Sequence, residues 1–297
     1  MAGRNRFGYW QGAGQFGCAG RKDETDRQHD SSSGKRPILK ESTLLLVLDV
    51  GNTNIVLGLF RGDVLMHQWR VTSHRNQTSD ELRLTVRSLL AEAAVDSREI
   101  DGVAIASVVP SLNYPLATAF EPLVGENIGF LSAETSPIIL DVETPHTVGA
   151  DRIANCIAAY AAHGGPILIL DFGTATTFDL AAQDGRFLGG AIAPEMRLAA
   201  QALTDRAAQL HAVELNVPAS VIGKNTTTNI QAGVVLGYLD LVDGLIQRFK
   251  AEVSEPLQVI ATGGKGEMFY QHLDSIEHYD PVLTLKGLQI WWGHHAN

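Results

Sequence analysis

Cysteine is nearly missing from this chain: two residues in 297, Cys18 and Cys156. Two cysteines build neither a disulfide framework nor a thiolate metal cluster, so a reducing, cytoplasmic setting is the simplest expectation. No run reaches the ~18 apolar residues of a membrane span. There is no G-x-x-x-x-G-K-[ST] and no G-x-G-x-x-G opening a helix, which removes the P-loop and the Rossmann dinucleotide site. Basic charge is also short. Lys and Arg number 23 against 33 Asp and Glu, a net charge of −10. That balance argues against nucleic acid as the main partner. It leaves anionic substrates open, because backbone N–H groups or a bound metal can receive them. What is present is ordinary for a globular chain, 45% apolar and 19% charged, and long enough for one large domain or two of moderate size.

The charge is unevenly spread. Residues 1–41 hold eight basic and five acidic groups, a balance of +3, and the remainder holds 15 basic and 28 acidic, or −13. The head, 1–42, is rich in Gly, Ser, Arg and Gln, has no helical or strand period, and is expected to be disordered. It lacks the apolar run of a signal peptide, and four acidic residues within it argue against a mitochondrial-type leader. Its aromatic residues Phe7, Tyr9, Trp10 and Phe16 are compatible with a docking motif. A start near Leu44 would need a non-Met codon, since no Met lies between Met1 and Met66.

The body carries a repeat. Thr43 to Asp49 is an apolar strand, followed by the polar turn Asp49-Val-Gly51-Asn52-Thr53 and a second strand to Phe60. Gly62-Asp63 makes the next turn and Val64–Val71 a third strand. Ile167 to Asp171 begins the same pattern 122 residues later: Asp171-Phe-Gly173-Thr174, an onward strand through Asp179, a turn at Asp184-Gly185 and a strand from Phe187 to Ile192. Gly102–Pro110 and Gln258–Lys265 are matching single strands ending in small and polar residues. Helical periods cover Ser79–Ala94, Arg152–Ala162 and Thr227–Val253. Three strands, helix, strand, helix, then the same order again, predict a duplicated α/β fold with a cleft between the halves. The expected division is 43–147 and 148–297.

A strand ending in Asp-x-Gly-polar-Thr suits a phosphate. The glycine allows close backbone approach, the N–H groups and hydroxyls donate, and the carboxylate can hold a hydrated Mg²⁺. Two such turns facing each other could grip one nucleotide tail, and phosphoryl transfer needs mainly positioning and charge neutralisation. A single Asp-Gly turn is ordinarily a hairpin; two in matching context, with Thr262-Gly263-Gly264 after a buried strand, favour the functional reading. Just before the second repeat stands Gly149-Ala150-Asp151-Arg152, opening a helix. An N-cap role would explain Asp151 alone. The adjacent Arg152 and Gly149 point instead to a small anionic substrate, with the carboxylate placed to accept a hydroxyl proton.

These motifs, together with Gly189-Gly-Ala-Ile-Ala-Pro194, resemble those of type III pantothenate kinases, a family also known as Bvg accessory factor, within the superfamily of acetate and sugar kinases, Hsp70 and actin. The resemblance runs from about Leu44 to Leu288. It implies two actin-like (ribonuclease H-like) domains with mixed five-stranded sheets flanked by helices. It also implies phosphorylation of pantothenate to 4′-phosphopantothenate by ATP, an alcohol-acceptor phosphotransfer that opens coenzyme A synthesis. By the resemblance, Asp49, Val50, Gly51, Asn52, Thr53, Asn54, Ile55 and Val56 form the first phosphate loop, with Asp49 near Mg²⁺. Thr174, Gly263 and Gly264 also serve ATP. Gly149, Ala150, Asp151 and Arg152 bind pantothenate, Asp151 being the general base, and Asp171 holds K⁺ or NH₄⁺. Thr226 contacts pantothenate across a homodimer interface, and Tyr114 lines the same pocket. One position departs from the pattern: Pro194 is followed by Glu195, where the family usually has glycine, which would be costly if φ there were positive.

Outside the motifs, the Trp291-Trp292 pair is expected to pack a terminal helix onto the body or onto the partner in a dimer, with His294 and His295 an exposed tail. His146 is as well explained by solvent as by substrate. Lys265 reads as surface charge and Asp179 as a structural pairing residue. Two other readings stay open at this stage: a kinase of the same superfamily acting on another hydroxylated acid or sugar, and a non-catalytic nucleotide-binding regulator.

Overall fold

The computed structural model describes residues 40–206 and 212–295. The head expected at 1–42 falls outside the described residues except for 40–42. Two five-stranded sheets repeat one plan. In the first, β1 (Leu44–Val50), β2 (Asn54–Arg61) and β3 (Val64–Thr72) form an antiparallel meander. β4 (Gly102–Ser107) and β5 (Ile128–Leu131) add in parallel on the other side of β1, for the order β3-β2-β1-β4-β5. In the second, β6 (Ile167–Phe172), β7 (Ala175–Ala181) and β8 (Phe187–Pro194) meander, and β9 (Gln258–Thr262) and β10 (His278–Tyr279) add in parallel. The order is the same, β8-β7-β6-β9-β10. Each central strand is covered on both faces, which is why β1 and β6 read as near-continuous apolar runs until their aspartates.

Helices α1 (Ser79–Glu92) and α2 (Pro110–Val124) cover the outer face of the first sheet, packing Leu82, Val86, Leu112, Leu116 and Phe120 on Leu46, Leu48 and Val50. α1 starts at a reciprocal Thr78–Glu81 capping box. On the second sheet, α4 (Met196–Arg206) follows β8. The segment Thr226–Glu252 comprises α5 (Thr226–Gln231), a π-helical turn over Ala232–Leu236 and α6 (Gly237–Glu252). It is the one helix among the described residues long and apolar enough to cross a membrane by length and composition. Its inner residues Val235, Val242 and Ile246 are fully buried against the second sheet, so its apolarity is accounted for by the core. α7 (Gly266–His272) caps that side.

The inner faces of the two sheets share α3 (Ala150–His163) and α8 (Leu283–His295). One face of α3, with Ile153, Ala154 and Ile157, packs under the first sheet; Cys156, Ala158 and Ala159 pack under the second. A helix wedged between two sheets must be apolar all round and slim, which the Ala-rich run provides. Close approach to α8 has its own requirement. A Cβ on Gly287 would lie 1.9 Å from the carbonyl oxygen of Ala154, so only glycine fits there. α8 also reaches back over the first sheet, where Trp291 and Trp292 are buried as expected and Trp291 Nε1 donates to the Thr135 carbonyl at 2.9 Å. His294 and His295 are exposed, but as the last turn of the helix, with His295 stacked on Trp291.

Candidate active site

The fold brings the predicted turns together. Asp49 and Asp171 occupy equivalent places, near the carboxyl ends of β1 and β6 and on the faces turned toward α3. Each turn closes through its glycine: Gly51 N–H donates to the Asn54 carbonyl at 2.9 Å, and Gly173 N–H to that of Ala175 at 3.1 Å. The two turns meet, with Thr53 Oγ1 and Thr174 Oγ1 3.3 Å apart across the cleft. Asn52, Thr53, Gly173 and Thr174 are exposed to it. Val50 and Ile55 bury their side chains in the outer core, so only their backbone can face a ligand.

Asp151 enters the same cleft from α3. It is not the N-cap. Gly149 holds that position, and Asp151 sits in the first turn with Oδ1 accepting from Arg152 N–H at 2.8 Å. A Cβ on Gly149 would come within 2.4 Å of that oxygen, which accounts for the glycine. The three carboxylates sense one another. Desolvation pushes the pKa of Asp49 well up, and Asp151 and Asp171 push it further, with Arg70 opposing. Asp171 is raised to about 7, first by desolvation and then by Asp151. Asp151 is raised by desolvation, partly offset by the Arg152 N–H and charge.

Two supporting groups, Asn155 and Thr284, escaped the sequence reading. Asn155 is fully buried in α3, donates from Nδ2 to Asp171 Oδ2 at 3.0 Å and accepts from Thr284 Oγ1 of α8 at 2.8 Å. Both ends of its amide are satisfied, so Asp171 is held from α3 and α8 at once. Arg152 turns toward Asp179: its Nε donates to Asp179 Oδ1 at 2.8 Å, a second nitrogen pairs with the same carboxylate, and the guanidinium lies over the Phe187 ring. Asp179 is buried, so this is a structural ion pair beside the site. Tyr114 and Thr226 are exposed, on α2 and at the first position of α5, and neither makes a hydrogen bond to the carboxylate cluster. His146 is exposed in a 3₁₀ turn. Cys156 is buried, and desolvation lifts its thiol to about 12, which makes it inert.

Glu195 finds a use of its own. Its φ is not positive, so no strain follows from the missing glycine. Its Oε2 accepts from Arg197 N–H at 3.0 Å at the start of α4, and its other oxygen pairs with Lys265 of the Thr-Gly-Gly-Lys loop. Glu195→Ala is expected to cost about 1–2 kcal/mol, read as a shifted urea midpoint, because Lys265 is a third exposed and regains water. Beside this pair and Gly264 opens a cavity of about 470 Å³, walled by Met196, Leu215, Asn216, Met268 and Gln271. Gly263 has φ +86°, and a Cβ there would meet Asp171 Oδ1 at 2.6 Å, so the loop rests directly on that carboxylate.

Two α/β sheets of one topology, with Asp-x-Gly turns meeting over a shared set of carboxylates, make an actin-like fold with a carboxylate-lined cleft. A solved Campylobacter jejuni protein, described as a conserved Baf family transcriptional activator, shares the fold with TM-score 0.55 and 19% identity over 85% of this chain and 99% of that one. The family model for type III pantothenate kinase matches residues 45–248. Type III pantothenate kinases of Moorella thermoacetica and Roseiflexus sp. are 46% and 44% identical over 83% of this chain and 98% and 97% of theirs. That of Myxococcus xanthus is 41% identical over 86% of this chain and the whole of its own. The chain belongs to the type III pantothenate kinase family.

Proposed function

We propose that this protein transfers the γ-phosphoryl group of ATP to the primary hydroxyl of pantothenate, in the cytoplasm, with Asp151 as general base. The observation that carries the reading is the convergence of Asp49, Asp151 and Asp171 under two turns whose threonines stand 3.3 Å apart. The lobes holding the cleft are taken as 43–147 and 148–297, with α8 of the second reaching back over the first sheet.

ATP would lie with its phosphates between the turns, receiving Thr53, Thr174 and the exposed backbone, and its nucleoside beside Gly263 and Gly264 at the cavity. Among the described residues no three His, Cys, Asp or Glu side chains converge on one metal position. A site offering one carboxylate and leaving the rest to phosphates and water suits Mg²⁺, with Asp49 as its protein contact. Asp171, one oxygen held by Asn155 and the other against the Gly263 backbone, is the place for K⁺ or NH₄⁺. Cations bound there supply charge neutralisation to phosphates and carboxylates alike. Asp151, with Oδ1 fixed by the Arg152 N–H, offers its other oxygen to the substrate hydroxyl. Its raised pKa brings it closer to the pH at which it must accept a proton. Arg152 beyond its Asp179 contact, with Gly149 and Ala150, would flank pantothenate. The exposed Thr226 and Tyr114 suit completion of that pocket by a second copy in a homodimer.

The direct test is ADP release with Mg-ATP, in the presence of K⁺ or NH₄⁺, against pantothenate and a panel of hydroxylated acids and sugars. Release that depends on pantothenate alone is expected. Release driven by another acceptor, or no release with any, would replace the reading by a different kinase or by a nucleotide-binding regulator.

A further inference from the structure

Three buried carboxyl groups line the cleft, and the reading above places a polyphosphate beside them. A cation must face that charge, and most of the nearby ones are engaged. Arg152 is held by Asp179, Lys265 by Glu195, and Arg75 donates to Asn52 Oδ1 at 3.0 Å. Arg70 is different. It makes no hydrogen bond or ion pair within the described residues, and it is exposed.

Its place follows from register. Asp49 of β1 is opposite Val56 of β2, and Val56 is opposite Arg70 of β3. Residues directly opposite share a face of the sheet. Val56 packs with the inner core and Trp69 and Val71 with the outer one, so Arg70 projects from the inner face, on the row of Asp49. Its long side chain reaches the other half: a guanidinium nitrogen lies 3.8 Å from where a Cβ on Gly264 would stand. Its charge is felt both by Asp49 and by Tyr279 of β10. It thus bridges the space between the first phosphate turn and the Thr-Gly-Gly loop. The equivalent row of the second sheet, Asp171, Thr177 and Ile192, ends in an exposed isoleucine, so the charge comes from one wall only.

We propose that Arg70 is a nucleotide-binding residue that donates to the phosphate chain of ATP from the first lobe while lying against the Gly264 loop of the second. A guanidinium offers a planar fork that an ammonium cannot copy, so lysine should replace it only in part. The proposal rests on the nucleotide lying in the cleft, as read above.

The test compares wild type, Arg70→Gln and Arg70→Lys by calorimetric titration with ATP and with adenosine, together with initial rates and thermal melting. Arg70→Gln should weaken ATP binding and raise the KM for ATP by roughly ten- to a hundredfold. Adenosine affinity and the KM for pantothenate should stay within about twofold, and Arg70→Lys should fall between. The melting temperature should not move, because no hydrogen bond is lost. Unchanged ATP affinity in Arg70→Gln, with the wild type binding ATP, would overturn the assignment of Arg70 alone. Parallel loss of ATP and adenosine, or a lowered melting temperature, would overturn it in favour of damage to the cleft. A wild type that binds no ATP would overturn the nucleotide site, and this assignment with it.

Discussion

Asp151→Asn is expected to lower turnover by roughly 10²–10⁴-fold while circular dichroism and ATP affinity stay close to wild type. The geometry separates the two effects. Asp151 lies in the first turn of α3 without serving as its N-cap, and its side chain accepts from the next residue's N–H. An amide oxygen can accept that bond equally well, so the side chain keeps its place. What it loses is the capacity to take a proton. The pH profile sharpens the test. Desolvation raises the Asp151 pKa, so in the wild type the rate should climb with pH across a limb displaced upward from the ordinary carboxylate range. The residual rate of Asp151→Asn should lack that limb. Wild-type turnover in the variant, or the same limb in both, would remove Asp151 from the role of base.

The parts of this site that were legible in the sequence are those carried by local pattern. The two Asp-x-Gly turns could be found because a central strand, apolar throughout, ends in one carboxylate and a turn, and because the chain does this twice. The polar opening of α3 was visible for the same reason. The duplicated sheets followed from strand and helix order, and both five-stranded sheets are present with the same topology. The supporting contacts were not legible, because each joins residues that only packing makes neighbours. Asn155 and Thr284 are 129 positions apart, and nothing local selects one for the other. A lone Asn within the apolar stretch 153–159 of α3 was the available signal for Asn155. Arg152 read only as a substrate contact, because its partner, Asp179, lies 27 residues on in another strand. Glu195 looked like a misfit at a glycine position. Its bonds to α4 and Lys265 show how a carboxylate is accommodated there once φ is ordinary. Arg70 was not legible either: counting pairs back from the Gly62-Asp63 turn sets Trp69 opposite Val56, and only the register shift between Leu59 and Phe60 brings Arg70 into that place.

Asp171→Asn should make the ligand-free protein more stable at pH 8, and should abolish most of its activity. The pKa of Asp171 rises from 3.8 to about 7 on folding, because its carboxylate is stripped of water and faces Asp151. Between those two values the folded protein holds a proton that the unfolded chain has released. Stability therefore falls as pH rises through that window. The favourable contribution is complete below about pH 4 and gone above about pH 7, where the wild type carries the full cost of the buried charge. A shift of this size sets a ceiling of ~4 kcal/mol. Asparagine does not titrate, and its amide oxygen can still accept the Asn155 N–H. The stability gap between variant and wild type should accordingly open from pH 4 to 7 and level off beyond, in urea midpoints measured without ligand. Asp171 also raises Asp49, so its removal should relieve that carboxylate as well. Added K⁺ or NH₄⁺ should narrow the gap by stabilising the wild type alone. A gap that ignores pH, or that closes as pH rises, would contradict the placement of an ionising Asp171 in a dehydrated site. The mutual repulsion of these carboxylates falls where cations and a polyphosphate are expected to bind, and a cation bound there is held by the same charges that raise each other's pKa.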